Sequence, residues 1–335
     1  MTRTILDWIK KEMCPEMCDS TEFIYDHMDS QSGRILPVIY QPFDPAKRMH
    51  WCDRGACYDF LHATGGGRLL DFGPGDGWPS LITAPYTDEV IGVDASRRRV
   101  EVCRENAERM GIKNVRFVHS PPGARLPFDN DSFDGAMAAS SVEQTPDPHN
   151  ALNEIYRVLK PEGRLRMHYE TLERYRDGKE QEIWVWPVNA SESLLIIYNR
   201  YIDGEYVDQY ALGYSIPAVE IEKMPGVEKF GKAPATVLID DLERLHDSFI
   251  GAKMCRTVHP SVETLRGWMT DVGFSDIIQS RSGDDIAGDL FDSLEAEKRP
   301  VDIESIDFLI HPLVKQAVDV EDTRFSENPS ITAVK

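Results

Sequence analysis

Three glycines at alternate positions, Gly73, Gly75 and Gly77, follow an acid in the run Asp71-Phe72-Gly73-Pro74-Gly75-Asp76-Gly77-Trp78. Glycine lacks a Cβ, so such a turn can bring bare backbone against a ligand. A dinucleotide-binding turn has its third glycine one place later, which leaves room for a pyrophosphate on a helix N-terminus. Here that place is Trp78, whose ring is expected to crowd a pyrophosphate. The next apolar run ends in Asp94, where a carboxylate can accept hydrogen bonds from both hydroxyls of a ribose. The chemistry implied is recognition of a nucleoside cofactor that carries no phosphate. Taken alone, the glycine spacing would also suit a tight turn with no ligand.

The elements that must hold this loop are legible on both sides of it. Short apolar runs alternate with amphipathic segments between about Gly65 and Tyr169, the pattern of parallel strands joined by crossover helices. Strands are predicted at Gly67 to Phe72, Glu89 to Val93, Val115 to His119, Phe133 to Ala139 and Gly163 to Tyr169. Helices are predicted from Ser96 to Met110, closed by Gly111, and from Asn150 to Leu159, ahead of Pro161. Beyond Tyr169 the texture becomes aromatic and strand-like, with Trp184, Trp186, Ser193 to Asn199 and Tyr206 to Tyr214, and an Asp203-Gly204 turn. The core pattern resumes with a helix from Ser261 to Val272, a strand from Phe274 to Ser280 and a further strand at Ile306 to Ile310.

The expected fold is α/β: a doubly wound, mostly parallel seven-stranded sheet with an N-terminal helical arm and an inserted β-rich subdomain. The boundaries drawn are an arm or cap over 1–64, a core over 65–170 and an insert over 171–255. The core is completed over 256–317, and 318–335 reads as a polar tail.

The 335 residues carry a formal net charge of -20, which opposes binding to a phosphate backbone, so no nucleic-acid partner is expected. No apolar stretch reaches the length of a membrane span, and a cytoplasmic protein with reduced thiols is expected. Cys14 and Cys18, and Cys52 and Cys57, lack the two-residue spacing of zinc knuckles, and no metal is expected.

Two downstream segments carry a resemblance. Leu126-Pro127-Phe128-Asp129-Asn130-Asp131-Ser132-Phe133-Asp134 and Glu154-Ile155-Tyr156-Arg157-Val158-Leu159-Lys160-Pro161-Glu162-Gly163 resemble the matching parts of class I (Rossmann-like) S-adenosylmethionine-dependent methyltransferases. The likeness is greatest to the broad set that includes the quinone-biosynthesis enzymes. It covers about Gly65 to Tyr169 and His259 to Ser280. It implies that Gly73, Pro74 and Gly75 face the methionine part of the cofactor, with Gly77 and Trp78 completing the loop and Asp71 near the ammonium group. Asp94 would hold the ribose, Ala95 would pack on the adenine, Pro122-Gly123-Ala124 would border its edge, and Ala139 and Ser140 would lie beside the sulfonium. Two departures stand out: Pro122-Gly123 replaces the frequent Asp-Ala, and Gln144 stands where relatives often carry His.

The resemblance implies methyl transfer to a small-molecule acceptor, with S-adenosylhomocysteine as product. A non-catalytic cofactor-binding protein and, less favoured, a nicotinamide-dependent oxidoreductase are the alternatives. An amine or thiol acceptor needs no dedicated base, whereas a phenol or activated carbon favours one. The candidates by position are His168, Glu170, Tyr25 and His50. The segment Phe23 to Trp51 and the aromatic insert Trp184 to Tyr214 are expected to roof the acceptor pocket. The insert reads equally as a small core or a homodimer face.

Overall fold

The computed structural model describes residues 4–27, 43–223, 228–229, 238–324 and 328–335. A long helix, α1 (Arg48–Thr64), ends on left-handed Gly65 and leads into β1 (Arg68–Phe72). Helices and strands then follow as α2 (Trp78–Thr83), β2 (Glu89–Asp94), α3 (Arg97–Met110), β3 (Val115–His119), β4 (Phe133–Ala139), α4 (Pro148–Val158) and β5 (Leu159–His168). Local chemistry sets the helix ends. The side chains of Ser96 and Asp147 accept the N–H groups of Arg99 and Asn150, and Gly111 closes α3 in the left-handed conformation.

After β5 the chain makes four antiparallel neighbours, β6 (Gln181–Pro187), β7 (Ser193–Tyr201), β8 (Tyr206–Tyr214) and β9 (Phe249–Val258). It then adds α5 (Val262–Val272), β10 (Ser275–Ser280), α6 (Gly283–Ser293), α7 (Ile303–Ala317) and β11 (Ser330–Val334).

The seven-stranded sheet has the order β10-β11-β5-β4-β1-β2-β3, and β1 to β5 run parallel within it. Only β11 runs against its neighbours, β5 and β10. β1 has β2 on one side and β4 on the other, so the strand order reverses there, and it is at such a point, beyond the strands' carboxyl ends, that open α/β sheets bind ligands. One buried face gathers Leu70, Phe133, Leu152, Ile155, Leu165, Leu265 and Ile331. Each such side chain contributes about 1.5–3 kcal/mol by leaving water.

Two expectations at the C-terminal end are corrected. Ile306 to Ile310 lies within α7 and is not a strand. Ile306, Phe308 and Ile310 imitate a strand's alternation, but Phe308 is 80% exposed, whereas Ile306, Ile310 and Val314, spaced by four, are buried. Asp302 caps this helix by accepting the N–H of Ser305. The seventh strand comes instead from the expected tail. β11 inserts between β5 and β10, with Ile331 and Ala333 fully buried.

The expected domain boundaries also shift. One unit joins the described residues of Met1–Met28 to Leu172–Pro260, and the other contains α1, so 1–64 is not a single arm. The strand β9 crosses the expected boundary at 255, because the β8 partnership continues to Val258.

The unit built from Leu172–Pro260 and the N-terminal residues holds a six-stranded sheet. Its order is Glu16–Met17, β9, β8, β7, β6, Glu228–Lys229. Alternation along the strands divides the side chains. Ile183, Val185, Leu195, Ile197 and Leu212 pack with Trp8, Ile9 and Leu242 on one face. Ile196, Tyr198, Val207 and Ala211 pack with Ile24 and Leu172 on the other, and Tyr25, Trp184 and Trp186 lie against that cluster.

Candidate functional site

The carboxyl ends of β1 to β5 form one rim, and its centre is the Gly73–Gly77 turn. The N–H of Gly73 bonds to the Val93 carbonyl at 2.9 Å and that of Gly77 to the Pro74 carbonyl at 2.8 Å. Helix α3 supports the turn from below. The Cys103 thiol donates to the Gly75 carbonyl at 3.3 Å, and the Asn106 amide donates to that of Asp76 at 2.8 Å.

All three glycines have positive φ, but they meet different surroundings. A Cβ on Gly73 would stand 2.4 Å from the Ser141 Cβ, and one on Gly77 would stand 2.8 Å from Leu81 Cδ1. A Cβ on Gly75 would meet nothing within 4 Å. Of the three, only Gly75 turns bare backbone to open space. Beside it, Asp94 accepts the Gly75 N–H at 3.3 Å and the Ser96 N–H at 2.8 Å, which fixes the carboxylate at the end of β2.

Two buried carboxyls flank the reversal of strand order. Asp71 accepts the N–H and hydroxyl of Ser80 through one oxygen, at 2.9 and 2.6 Å, while its other oxygen has no hydrogen-bond partner among the described residues. Burial pushes this carboxyl up to about 7; the Ser80 bonds pull it down and the charge of Asp94 adds to the rise. Glu143 lies in the turn Val142–Gln144 after β4 and is 1% exposed. One of its oxygens accepts the Glu170 N–H at 3.3 Å, and the other has no partner among the described residues. Burial pushes it up to about 8, and Glu170 adds to the rise. Ser141 ties the two loops together by donating to the Phe72 carbonyl at 2.5 Å.

Asp71, Asp94, Glu143 and Glu170 thus lie on adjacent loops of the rim, and the two buried ones, Asp71 and Glu143, gain a favourable partner when a cation binds. Bare backbone facing open space, a fixed carboxylate and an uncompensated buried acid fit a cationic, phosphate-free nucleoside cofactor. The Trp78 indole N–H bonds to Asp53 at 3.0 Å and its ring meets Phe60 edge-on at 6.1 Å, so the side chain is held against α1.

The remaining expected residues divide into two groups. Ala95, the Pro122-Gly123-Ala124 turn and Ser140 follow β2, β3 and β4 on the rim, with Ala139 the last residue of β4, and the Ala124 N–H closes the turn on the Pro121 carbonyl. His168 ends β5 and Glu170 follows it. The His168 Nε2 lies 2.8 Å from the Asp59 carboxylate, and the ring stacks on Phe60 at 4.4 Å. Asp59 is fully buried and held at about 2, its burial outweighed by Arg166 and His168; Arg166 bonds both of its oxygens, at 2.8 and 2.6 Å.

The other two candidates are not carried by the strands β1 to β5. His50, near the start of α1, accepts the Asp44 N–H and is buried, which lowers its basicity. It is nine residues from Asp59 along the helix, about 13 Å. Tyr25 belongs to the other unit. Cys52 and Cys57 are buried on α1, and burial pushes their thiols up to about 11 and about 12, which opposes thiolate chemistry. Sequence reading missed Asp59 and gave Glu143 no role. Asp59 left no local signal, because its partners are distant in the chain. Glu143 was visible as an acid beside an apolar run in a strand-end turn.

A family described as "Methyltransferase domain" matches residues 70–167, which run from within β1 to Met167 in β5 and include the loop, Asp94 and Glu143. These residues form a class I S-adenosylmethionine-dependent methyltransferase domain. Its cofactor is S-adenosylmethionine.

Among relatives, the uncharacterized methyltransferase YcgJ of Bacillus subtilis is 40% identical over 104 residues, 30% of this chain and 41% of that protein. The 24-methylenesterol C-methyltransferase 3 of Arabidopsis thaliana is 30% identical over 185 residues, half of each chain. The demethylmenaquinone methyltransferase of Clavibacter sepedonicus is 37% identical over 100 residues, 30% of this chain and 40% of that protein. The chain thus spans half or less of these relatives' lengths. The CcbJ methyltransferase of Streptomyces caelestis shares the fold, with a TM-score of 0.50 and 12% identity over 94% of this chain and 96% of that one. No described helix is long and apolar enough to cross a membrane.

Proposed function

We propose that the protein transfers a methyl group from S-adenosylmethionine to a small-molecule acceptor and releases S-adenosylhomocysteine. The observation that carries this reading is the pairing of Gly75, whose bare face meets open space, with the fixed Asp94 carboxylate beside it. In this reading Asp94 takes the ribose hydroxyls, and the backbone of Gly73, Pro74 and Gly75 takes the methionine part. Asp71 faces the ammonium group, Ala95 and the 122–124 turn border the adenine, and Ala139 and Ser140 border the sulfur. When bound, the cofactor supplies a methyl group on a positively charged sulfur, open to in-line displacement.

The work left to the chain is alignment and exclusion of water. His168 is the proton acceptor we favour on the rim, because Asp59 orients its ring in the manner of a carboxylate–imidazole pair. Relatives whose names specify sterol and demethylmenaquinone methylation support a small-molecule acceptor. We assign acceptor selection to the aromatic unit that carries Trp184 and Tyr198.

The test is an acceptor screen with methyl-labelled S-adenosylmethionine, followed by label transfer and S-adenosylhomocysteine formation, on the native protein and Trp184→Ala. Transfer to a small molecule, with altered selectivity in the variant, is expected. Cofactor binding without product across the screen would contradict turnover. Unchanged selectivity in Trp184→Ala would remove the role given to the aromatic unit.

A further inference from the structure

Asp71, on β1, and Glu143, just after β4, share one condition. Each is buried, and among the described residues each has one oxygen without a hydrogen-bond partner and neither has a cation beside it. Among the described residues, the titratable groups that bear on Asp71 are Asp94 and Cys103, and the one that bears on Glu143 is Glu170. A buried carboxyl in this state keeps its proton until a positive charge arrives.

We propose that Glu143, together with Asp71, is the cation receptor of the cofactor site. It favours S-adenosylmethionine over S-adenosylhomocysteine by charge and sheds a proton when the cationic form binds. This rests on the cofactor reading above. With the ribose on Asp94 at the end of β2, the amino-acid end of the ligand extends over the glycine loop toward β4, where Ser141 joins the two loops. Both ligands carry an ammonium and a carboxylate, so the response of Asp71 to the ammonium is common to both. The sulfonium charge is present in the methylated form alone, and Glu143 answers to it. The event is balanced as a neutral carboxyl becoming a carboxylate, with its proton passing to buffer.

The test is calorimetric titration of each ligand into the native protein at pH 7, in phosphate and in Tris, whose different ionisation heats report the protons released. S-adenosylmethionine is expected to release more than S-adenosylhomocysteine, by up to one proton per site. The affinity ratio of the two ligands should rise by up to tenfold per pH unit below about 8 and flatten above it. Glu143→Gln keeps an oxygen for the Glu170 N–H and cannot ionise. It should bind both ligands with equal proton release and a ratio independent of pH. Equal release by the native protein, or an unchanged excess in Glu143→Gln, overturns the inference. If the variant does not fold, a flat ratio in the native protein between pH 6 and pH 9 overturns it alone. Failure of both ligands to bind is a separate outcome and refutes the cofactor reading itself.

Discussion

Alanine at Gly73 and alanine at Gly75 should fail in opposite ways. Both positions have left-handed φ, +74 and +62, which costs an alanine about 1–2 kcal/mol. At Gly73 the new Cβ also meets the Ser141 Cβ at 2.4 Å, and overpacking of that kind adds about 1–3 kcal/mol. Gly73→Ala should therefore lose about 2–5 kcal/mol of stability and Gly75→Ala about 1–2 kcal/mol. The methyl of Gly75→Ala meets no protein atom and enters the space assigned to the cofactor, so S-adenosylmethionine affinity should fall at least about tenfold, about 1.4 kcal/mol. Urea unfolding measures the first quantity and isothermal calorimetry the second. Equal stability losses, or full cofactor affinity in Gly75→Ala, would refute the division of labour between the two glycines.

Three further outcomes follow from the packing. Arg166→Met leaves Asp59 buried without its cation and should cost about 3–5 kcal/mol in urea unfolding, with a smaller loss when Asp59→Asn is added; equal losses would count against a buried ion pair. A chain ending at Pro329 lacks β11, which bonds to both β5 and β10, and its circular dichroism should show loss of the cooperative fold; a native-like melt would show that the strand is dispensable. Glu143 is raised from 4.5 to about 8 on folding, so the stability that protonation confers is present below 4.5 and is lost as pH rises through 8. Relative to the native protein, Glu143→Gln should therefore gain up to about 1.4 kcal/mol per pH unit across that window, and a difference in melting that does not vary with pH would contradict this.

The parallel core was legible because its signals are local. Apolar runs of β1 to β4, the Ser96 cap and the Gly111 stop each lie within a few residues of the element they define. Helix α7 misled because Ile306, Phe308 and Ile310 fit both periods, and only the exposure of Phe308 decides between them. Strand β11 was hidden because Ser330–Val334 is short and is stabilised by partners far away in the chain. The same distance concealed Asp59, bound to Arg166 across more than a hundred residues. The cofactor loop could be read from its glycines, whereas their separate tasks required knowing that Ser141 faces Gly73 and that open space faces Gly75.

The claim at the centre of this account is that Asp94 holds the ribose of S-adenosylmethionine beside the glycine turn. Calorimetry of S-adenosylmethionine with the native protein and with Asp94→Ala tests it most directly. The native protein should bind one equivalent. The variant, deprived of charge-assisted hydrogen bonds to the two ribose hydroxyls that are together worth about 3–6 kcal/mol, should bind at least about a hundredfold more weakly while remaining folded. Undiminished affinity in a folded Asp94→Ala would contradict the account.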